Sequence, residues 1–233
     1  MSLDMYEILE IPDSSEAGLQ DLFHEKGWGD GLPMIAPTRE RVEEMLSASQ
    51  GLDPDEVIAS LPPRNGEATR RIIAVNAVMA GCRPEHFPVL VSAIRALSAP
   101  EMNLRGVNAT THCVAPLLIV HGKAARDGNY NSGLGAFGPG NLANATTGRA
   151  VRLTLLHVAG ATPGVGDAST QGSPAKYSYC VAENLDSSPW GGYARTVGID
   201  DESAVTVHCG EAPHNIHDME SSEPSAILDK VAS

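Results

Sequence analysis

The sequence predicts an α/β or α+β fold, in which helices flank a mixed sheet in a single main domain with long loops rich in glycine and asparagine. Apolar residues make up 42% of the 233 residues, which is enough to bury a large core in one sizeable domain. Helical patterns precede and follow an apolar strand at residues 114–121, and two more strand patterns come later. This order of helices, strand, helix and strands favours a mixed sheet.

The first helical pattern belongs to an extension that precedes the main domain. Ser14 or Ser15 is a suitable N-cap for a helix over residues 16–26, since a serine hydroxyl can accept a hydrogen bond from the first helical turn. The segment Gly27-Trp-Gly-Asp-Gly-Leu-Pro33 is then typical of a turn. We therefore predict an N-terminal helical extension at 1–26, one α/β domain at 27–220 and a flexible polar tail at 221–233.

Four helical segments are expected before the apolar strand, and capping residues mark three of them. Thr38 is a candidate N-cap, Gly81 a helix stop, and Pro84 suits the first turn of a helix. Cys82 then lies at the corner between two helices. The predicted helices cover residues 39–47, 54–60, 67–80 and 84–99.

The second half of the chain is dominated by loops. After the strand at 114–121, residues 122–140 are rich in glycine and asparagine, and an ordered loop of that length is usually functional. A helix is predicted to start at Asn144 or Thr146 and to reach Val158. Strands are predicted at 176–182 and 204–209.

Charge and cysteine content exclude some classes of function. Lys and Arg number 16 against 29 Asp and Glu, and the net charge of −13 argues against a nucleic-acid partner. Apolar runs fall short of the roughly 20 residues that cross a bilayer, and the acidic N-terminus is unlike a secretory signal, so we expect a cytoplasmic protein. The cysteines form no Cys-x-x-Cys pair and are predicted to be free thiols: Cys82, Cys113, Cys180 and Cys209.

A glycine-rich string precedes the helix near residue 146. Gly133, Gly135 and Gly138 match G-x-G-x-x-G, but about eleven residues separate them from the strand, which disfavours a dinucleotide site. Backbone N–H groups at a helix start attract anions, and Arg149 or Arg152 would help to hold an anion here, whereas the plain alternative is that these residues build tight turns. The predicted substrate-binding residues are Asn108, Gly133, Gly135, Gly138, Gly140, Asn141, Asn144 and Arg149.

A histidine-rich segment follows the last predicted strand. Imidazole and thiolate are ligands for zinc, copper or iron, so a transition metal is the cofactor this segment would take. The spacing matches no standard zinc pattern, and the alternative is one polar site residue, His214, among surface groups. The candidate metal ligands are His208, Cys209, His214 and His217.

Two thiols are candidate nucleophiles. Cys82 precedes a helix start and adjoins Arg83, and both features would lower the thiol pKa. The alternative is a small buried residue at a tight corner. Cys180 is expected to point inward from its strand.

Several strings carry a resemblance to a known family. They are Gly27-Trp-Gly-Asp-Gly-Leu-Pro33, Val75-Asn-Ala-Val-Met-Ala-Gly-Cys-Arg-Pro84, Ala109-Thr-Thr-His112, Phe137-Gly-Pro-Gly140, Ser169-Thr-Gln-Gly172, Lys176-Tyr-Ser-Tyr-Cys180 and Ala212-Pro-His-Asn215. On these strings, residues 27–215 resemble the large region of bacterial proteins named for a UGSC motif, selenocysteine-Gly-Ser-Cys or its cysteine version. The resemblance implies a selenoprotein-like oxidoreductase.

The motif that names this family is missing. Gln171-Gly-Ser-Pro174 is the nearest string, and it lacks both redox atoms. The redox motif would then reside on a small partner subunit carrying Cys-Gly-Ser-Cys, or the chain works without it. The matching positions imply four catalytic candidates: Cys82, His112, Cys180 and His214.

We therefore expect an enzyme acting on a small polar or anionic substrate, either a thiol oxidoreductase or a subunit of one. A thiol would be the nucleophile and a histidine the general acid or base, in one common cavity. The alternatives are a metal-dependent hydrolase or hydro-lyase, and a non-catalytic ligand-binding or structural subunit. Long loops often lie at subunit interfaces, so a homo-oligomer is expected.

Overall fold

Nine helices and five strands lie in the part of the chain described by the structure, a computed structural model that covers residues 9–11, 13–199 and 202–233. The helices are α1 (Glu16–Glu25), α2 (Arg39–Ser47), α3 (Arg70–Ala80), α4 (Phe87–Leu97), α5 (Leu104–Ala109), α6 (Gly122–Asp127), α7 (Leu142–Thr154), α8 (Tyr193–Thr196) and α9 (Pro224–Ala232). The strands are β1 (Val57–Leu61), β2 (Gly66–Thr69), β3 (Ala115–His121), β4 (Cys180–Ala182) and β5 (Ser203–Gly210).

The main sheet is mixed, as the sequence predicts. β3 lies at its centre, parallel to β4 and antiparallel to β5. Side chains alternate along β3, so that Leu118 and Val120 are fully buried on the face that packs against the helices. Val205 and Val207 of β5 lie on the same face and pack against the main core. The second sheet is the antiparallel pair of β1 and β2.

Local capping explains where several helices begin and end. Ser15, Thr38 and Thr69 each accept a hydrogen bond from the first turn of α1, α2 and α3 respectively, which satisfies backbone donors that have no partner within the helix. Gly81 ends α3 with φ of 91°, a left-handed conformation that favours glycine. The predictions for Ser15, Thr38 and Gly81 are confirmed.

Other predicted boundaries differ from the structure. The helix expected at 54–60 is instead strand β1, because the residues around it form a hairpin in which Ile58 and Leu61 are buried and Gly66 lies against the backbone of Val158. β2 occupies the first residues of the helix predicted at 67–80. Backbone pairing across the hairpin therefore overrides the helical periodicity.

The helices and strands after residue 140 also differ from their predicted bounds. α7 begins at Leu142 because Asn141 caps it, its side-chain oxygen accepting from the backbone N–H of Asn144 at 2.8 Å. Of the strand predicted at 176–182, only β4 forms, after a short 3₁₀ turn. The tail at 221–233 contains α9, although none of its side chains is buried. Among the described residues, we find no helix with the length and apolarity needed to cross a membrane.

The packing of the central strand predicts a large effect of truncation. Leu118→Ala should lower the free energy of unfolding by about 2–5 kcal/mol, because Leu118 is fully buried and the change leaves a cavity. Leu134 is fully exposed, so Leu134→Ala is a control, and it should change the free energy of unfolding by less than about 0.5 kcal/mol. Urea unfolding measures both, and equal effects would contradict the burial of β3.

Candidate functional site

A small polar cavity lies between α7, the start of β3 and the segment 174–179. Its volume is about 10 Å³, which is room for about one water molecule. Two cationic side chains and a tyrosine stand among its apolar walls. The lining residues are Asn108, Val114, Ala115, Pro116, Gly148, Val151, Arg152, Leu155, Ala175, Lys176 and Tyr179.

The two cations of the cavity share one carboxylate. Arg152 Nη2 donates to Asp167 Oδ2 at 3.1 Å, and Lys176 Nζ donates to the same oxygen at 2.8 Å. The three side chains are 12%, 11% and 3% exposed, so solvent screens them little. Arg152 also donates to the carbonyl oxygen of Ala161. The trio carries a net charge of +1, in a chain whose net charge is −13.

The ionisation of Asp167 follows from these partners. Burial by itself would raise the pKa of this carboxyl group. The hydrogen bonds from Lys176 and from the backbone of Ser169, with the charges of Lys176 and Arg152, outweigh burial and hold the pKa below its usual value. Asp167 is therefore a carboxylate at neutral pH, and it acts as an internal counter-ion.

Neutral polar groups complete the cavity wall. Asn108 is buried and its amide donates to the carbonyl oxygen of Pro62 at 2.8 Å. The hydroxyl of Tyr179 donates to the backbone oxygen of Glu211 at 3.1 Å. The Glu211 carboxylate in turn lies 3.4 Å from Nδ1 of His112, and both of these side chains are exposed. The Glu211 backbone is thus bonded to the cavity wall, and His112 is joined to it through the Glu211 side chain.

The glycine loop adjoins the cavity through one ring contact. Phe137 packs against Tyr179 with ring centroids 5.5 Å apart. Asn144 is buried and holds the loop, because its amide oxygen accepts from the backbone of Asn131 and its amide nitrogen donates to the carbonyl oxygens of Asn131 and Ala136, each at 3.0 Å. Asn141 caps α7 and donates to the carbonyl oxygen of Asn129. Both asparagines therefore build the loop.

The glycines of this loop form exposed turns. Gly135 and Gly140 have φ of 69° and 115°, which few other residues adopt. The N–H groups of Gly133 and Gly138 donate to oxygens within the loop itself, those of Asn131 and Gly135. These two N–H groups are consequently engaged, and they favour the turn-building alternative over a cradle for an anion.

Arg149 is engaged in a different contact from the one expected. Its guanidinium donates twice to the carboxylate of Asp30, at 2.7 and 2.8 Å, and once to the carbonyl oxygen of Leu32. Both charged side chains are largely buried. Arg149 joins α7 to the turn at 27–33, because Asp30 supplies the opposite charge, and its role in substrate binding stays a prediction.

The two candidate nucleophiles lie close together at the core, where Cys180 is buried and Cys82 is partly buried. Burial raises the pKa of the Cys82 thiol to about 12, although hydrogen bonds with Thr146 and Thr147 partly oppose the shift. Burial also raises the pKa of Cys180, and the nearby Cys82 adds to this effect. The predicted lowering of the Cys82 pKa is therefore wrong, since removing the thiol from water outweighs the helix start and Arg83.

The histidine-rich segment does not gather into a ligand set. His208 is exposed, and Cys209 points to the opposite face of β5, so the two diverge. His214 and His217 are exposed in the segment after the strand. Within 9–11, 13–199 and 202–233 the structure contains no group of three His, Cys, Asp or Glu side chains placed to hold a metal ion.

The four predicted catalytic residues are thus not brought together. Cys180 is buried and Cys82 partly buried at the core, His112 is linked to the small cavity through Glu211, and His214 is exposed. None of the four lines that cavity or the wider cavity of about 200 Å³ beside Pro62 and Arg105.

A row of hydroxyl, imidazole and carboxylate groups closes the other end of β3. Thr206 Oγ1 lies 2.8 Å from Nε2 of the buried His121, and Glu183 Oε2 lies 2.6 Å from its Nδ1. Acyl-transfer enzymes use this order of groups. Here neither of the two cavities reaches Thr206, and both ring nitrogens are satisfied. We interpret the row as a polar contact that joins β3, β5 and the segment after β4.

Sequence reasoning named Arg152 as a candidate partner of an anion but missed the other two members of the site, Asp167 and Lys176. Arg152 and Asp167 are 15 residues apart, and Lys176 is 9 residues beyond Asp167, so no local pattern joins them. Lys176 does lie in one of the strings that carry the family resemblance, which is the single signal that could have drawn attention to it.

No family model, no curated protein and no solved structure matches this chain. The resemblance to UGSC-motif proteins therefore stays a prediction from the strings in the sequence.

The raised thiol pKa predicts how Cys82 reacts with iodoacetamide. Because the thiolate is the reactive form, the alkylation rate of Cys82 should rise about tenfold per pH unit from pH 7 to 9.5, without a plateau. Peptide mass spectrometry of the native protein measures this rate, and the urea-unfolded chain is the control, in which the rate should level off near the ordinary thiol pKa of about 8.5. A plateau below pH 8 in the native protein would contradict the described burial.

Proposed function

We propose that this chain is an enzyme that acts on a small anionic substrate bound at the cavity of Arg152 and Lys176. The observation that carries the proposal is the surplus of positive charge, since two largely buried cations face a single carboxylate at the cavity wall. A buried charge without a full counter-ion is costly, and an entering anion would balance it. Arginine and lysine are also the usual partners of carboxylate and phosphate groups.

The size of the cavity limits the substrate. With room for about one water molecule, it accepts a single oxygen atom of a carboxylate or phosphate-like group rather than a whole nucleotide. Asn108 and Tyr179 would offer neutral polar atoms beside the two cations. The rest of the substrate would extend toward the glycine loop, which reaches the cavity through the contact between Phe137 and Tyr179.

Acid–base chemistry is the reaction class that the neighbouring groups favour. His112 and Glu211 are linked to the cavity wall through Tyr179, and a histidine beside a carboxylate can serve as a general acid or base. Thiolate catalysis is disfavoured, because burial raises the pKa of Cys82 and of Cys180. An oxidoreductase role would then draw its redox groups from a partner subunit with the Cys-Gly-Ser-Cys motif.

A second candidate is a non-catalytic carrier of the same anion. The exposure of His112 and Glu211 favours it, since neither side chain is enclosed with a substrate. The metal-dependent hydrolase finds no support in the arrangement of His208, His214 and His217, which are all exposed. We also propose a cytoplasmic setting, because the four cysteines are free thiols, as is usual in a reducing compartment. We propose self-association as well, because long loops often lie at subunit interfaces.

Removing the lysine should weaken anion binding. Lys176→Gln should raise the Kd for phosphate, sulfate, oxalate or malonate by about tenfold or more, since a hydrogen bond to a charged group contributes about 1.5–3 kcal/mol. Titration calorimetry at constant ionic strength measures this, with circular dichroism to check folding. Lys123 is exposed, so Lys123→Gln is the matched control and should bind as the parent does. Absence of binding by the parent chain, or equal loss in both variants, would contradict the proposal.

Removing the internal counter-ion should have the opposite effect on affinity. Asp167→Asn frees both cations, so we expect its affinity for the same anions to rise about tenfold while its stability without anion falls.

The same variant tests how the stability of the protein depends on pH. The folded pKa of Asp167 lies below its unfolded value, so its contribution to stability is present above about pH 4 and is lost as pH falls through the folded pKa. Between pH 3 and 7, the Tm of Asp167→Asn should therefore change less with pH than the Tm of the parent does. Thermal unfolding across this pH range measures both. Unchanged anion affinity in this variant would mean that the cations do not bind ligand.

A further inference from the structure

The wider of the two cavities is a cleft at the beginning of α5. Its volume is about 200 Å³, against about 10 Å³ for the cavity of Arg152 and Lys176. An engineered cavity of about 150 Å³ is large enough to hold benzene, so the cleft has room for a small organic molecule. The residues that line it are Pro62, Leu97, Ser98, Ala99, Pro100, Asn103, Leu104 and Arg105.

Most of this lining is apolar, and its polar part offers hydrogen-bond donors. Five of the eight lining residues are proline, leucine or alanine. The amide oxygen of Asn103 accepts from the backbone of Gly106, so the NH₂ group of this amide remains as a donor. Ser98 donates through its backbone N–H and its hydroxyl to the carbonyl oxygen of Arg95, and these bonds occupy an oxygen at the end of α4 that would otherwise repel an anion. A ligand with an apolar body and acceptor atoms fits such a lining.

Arg105 brings a positive charge to the cleft. Its guanidinium donates to the carbonyl oxygen of Pro63 at 3.4 Å and to Oδ1 of Asn65 at 3.2 Å, which are long bonds to neutral acceptors. Among the described residues, no Asp or Glu forms a salt bridge with Arg105. Glu101 is close in sequence, but it is exposed and does not line the cleft. The planar donors of arginine match the two oxygens of a carboxylate, so this side chain can take a carboxylate from a ligand.

The cleft and the cavity of Arg152 and Lys176 are neighbours, but they are separate. Pro62 lines the cleft and Asn108 lines the cavity, and the amide of Asn108 donates to the carbonyl oxygen of Pro62 at 2.8 Å. The two cavities share no lining residue. The cleft is therefore a second site that has its own cation.

We propose that this cleft binds a small carboxylate with an apolar body, of the size of benzoate, and that Arg105 pairs with its carboxylate group. Charge complementarity favours this class of ligand: the net charge of the chain is −13, yet the cleft is lined by one cation and by no acidic residue. The apolar lining favours a ring or a branched chain as the body of the ligand, since burial removes apolar surface from water. The inference does not depend on the function proposed for the cavity of Arg152 and Lys176.

The test is a titration of the ¹⁵N-labelled full chain with benzoate, followed by NMR at constant ionic strength. Binding should saturate with a Kd of about 1 mM or below, and the backbone amide signals of residues 98–105 should shift. Benzyl alcohol has the ring without the charge, and acetate has the charge without the ring. Each should bind at least about fivefold more weakly than benzoate, because each lacks one of the two contacts.

Arg105→Gln should raise the Kd for benzoate about fivefold and leave that for benzyl alcohol unchanged, since it removes the charge and keeps the apolar lining. The side chain is exposed, so folding is expected to persist, and circular dichroism checks it. Arg126→Gln is the matched control, with the same chemical change at an exposed arginine of α6 that does not line the cleft. It should bind benzoate as the parent does.

Several outcomes would overturn the inference. They are the absence of saturable benzoate binding by the parent, amide shifts that leave residues 98–105 unchanged, and equal loss in Arg105→Gln and Arg126→Gln. Benzoate binding that is lost in Lys176→Gln and kept in Arg105→Gln would also overturn it, because benzoate would then occupy the small cavity. Benzoate binding that depends on Arg105, in a parent chain that does not bind phosphate, sulfate, oxalate or malonate, would contradict the proposed function and support this inference.

Discussion

The carboxylate of Asp167 is the contact on which the candidate site depends. It bonds to Arg152 of α7 and to Lys176 of the segment before β4, so one oxygen atom joins three parts of the chain. These bonds hold both cations together at the cavity and leave one positive charge unbalanced. A neutral residue at 167 would leave two cations facing each other at the cavity wall.

Most of the architecture could be predicted from the sequence, because its causes are local. Ser15, Thr38 and Gly81 act within a few residues of the helix ends that they fix. The apolar run that becomes β3 is also readable, since its burial needs only a core to pack against. The sequence predicts a helix where β1 forms, because the conformation of β1 depends on pairing with β2 across a turn.

The candidate site was less predictable, because its contacts join distant residues. The partner of Arg149 is Asp30, 119 positions away, and that pairing removes Arg149 from the list of free cations. The pKa of Cys82 depends on the depth of the surrounding core, which adjacent residues such as Arg83 do not reveal. Local sequence identifies which side chains can ionise, whereas packing decides which of them stay in contact with water.

The three hydrogen bonds of the Asn144 amide give the glycine loop a property that its composition does not suggest. Glycine-rich segments are usually pliable, yet this amide fixes the loop from inside, through Asn131 and Ala136. The loop consequently has its shape before anything touches it. Whatever molecule settles there meets a surface already ordered, and little conformational entropy is lost on contact.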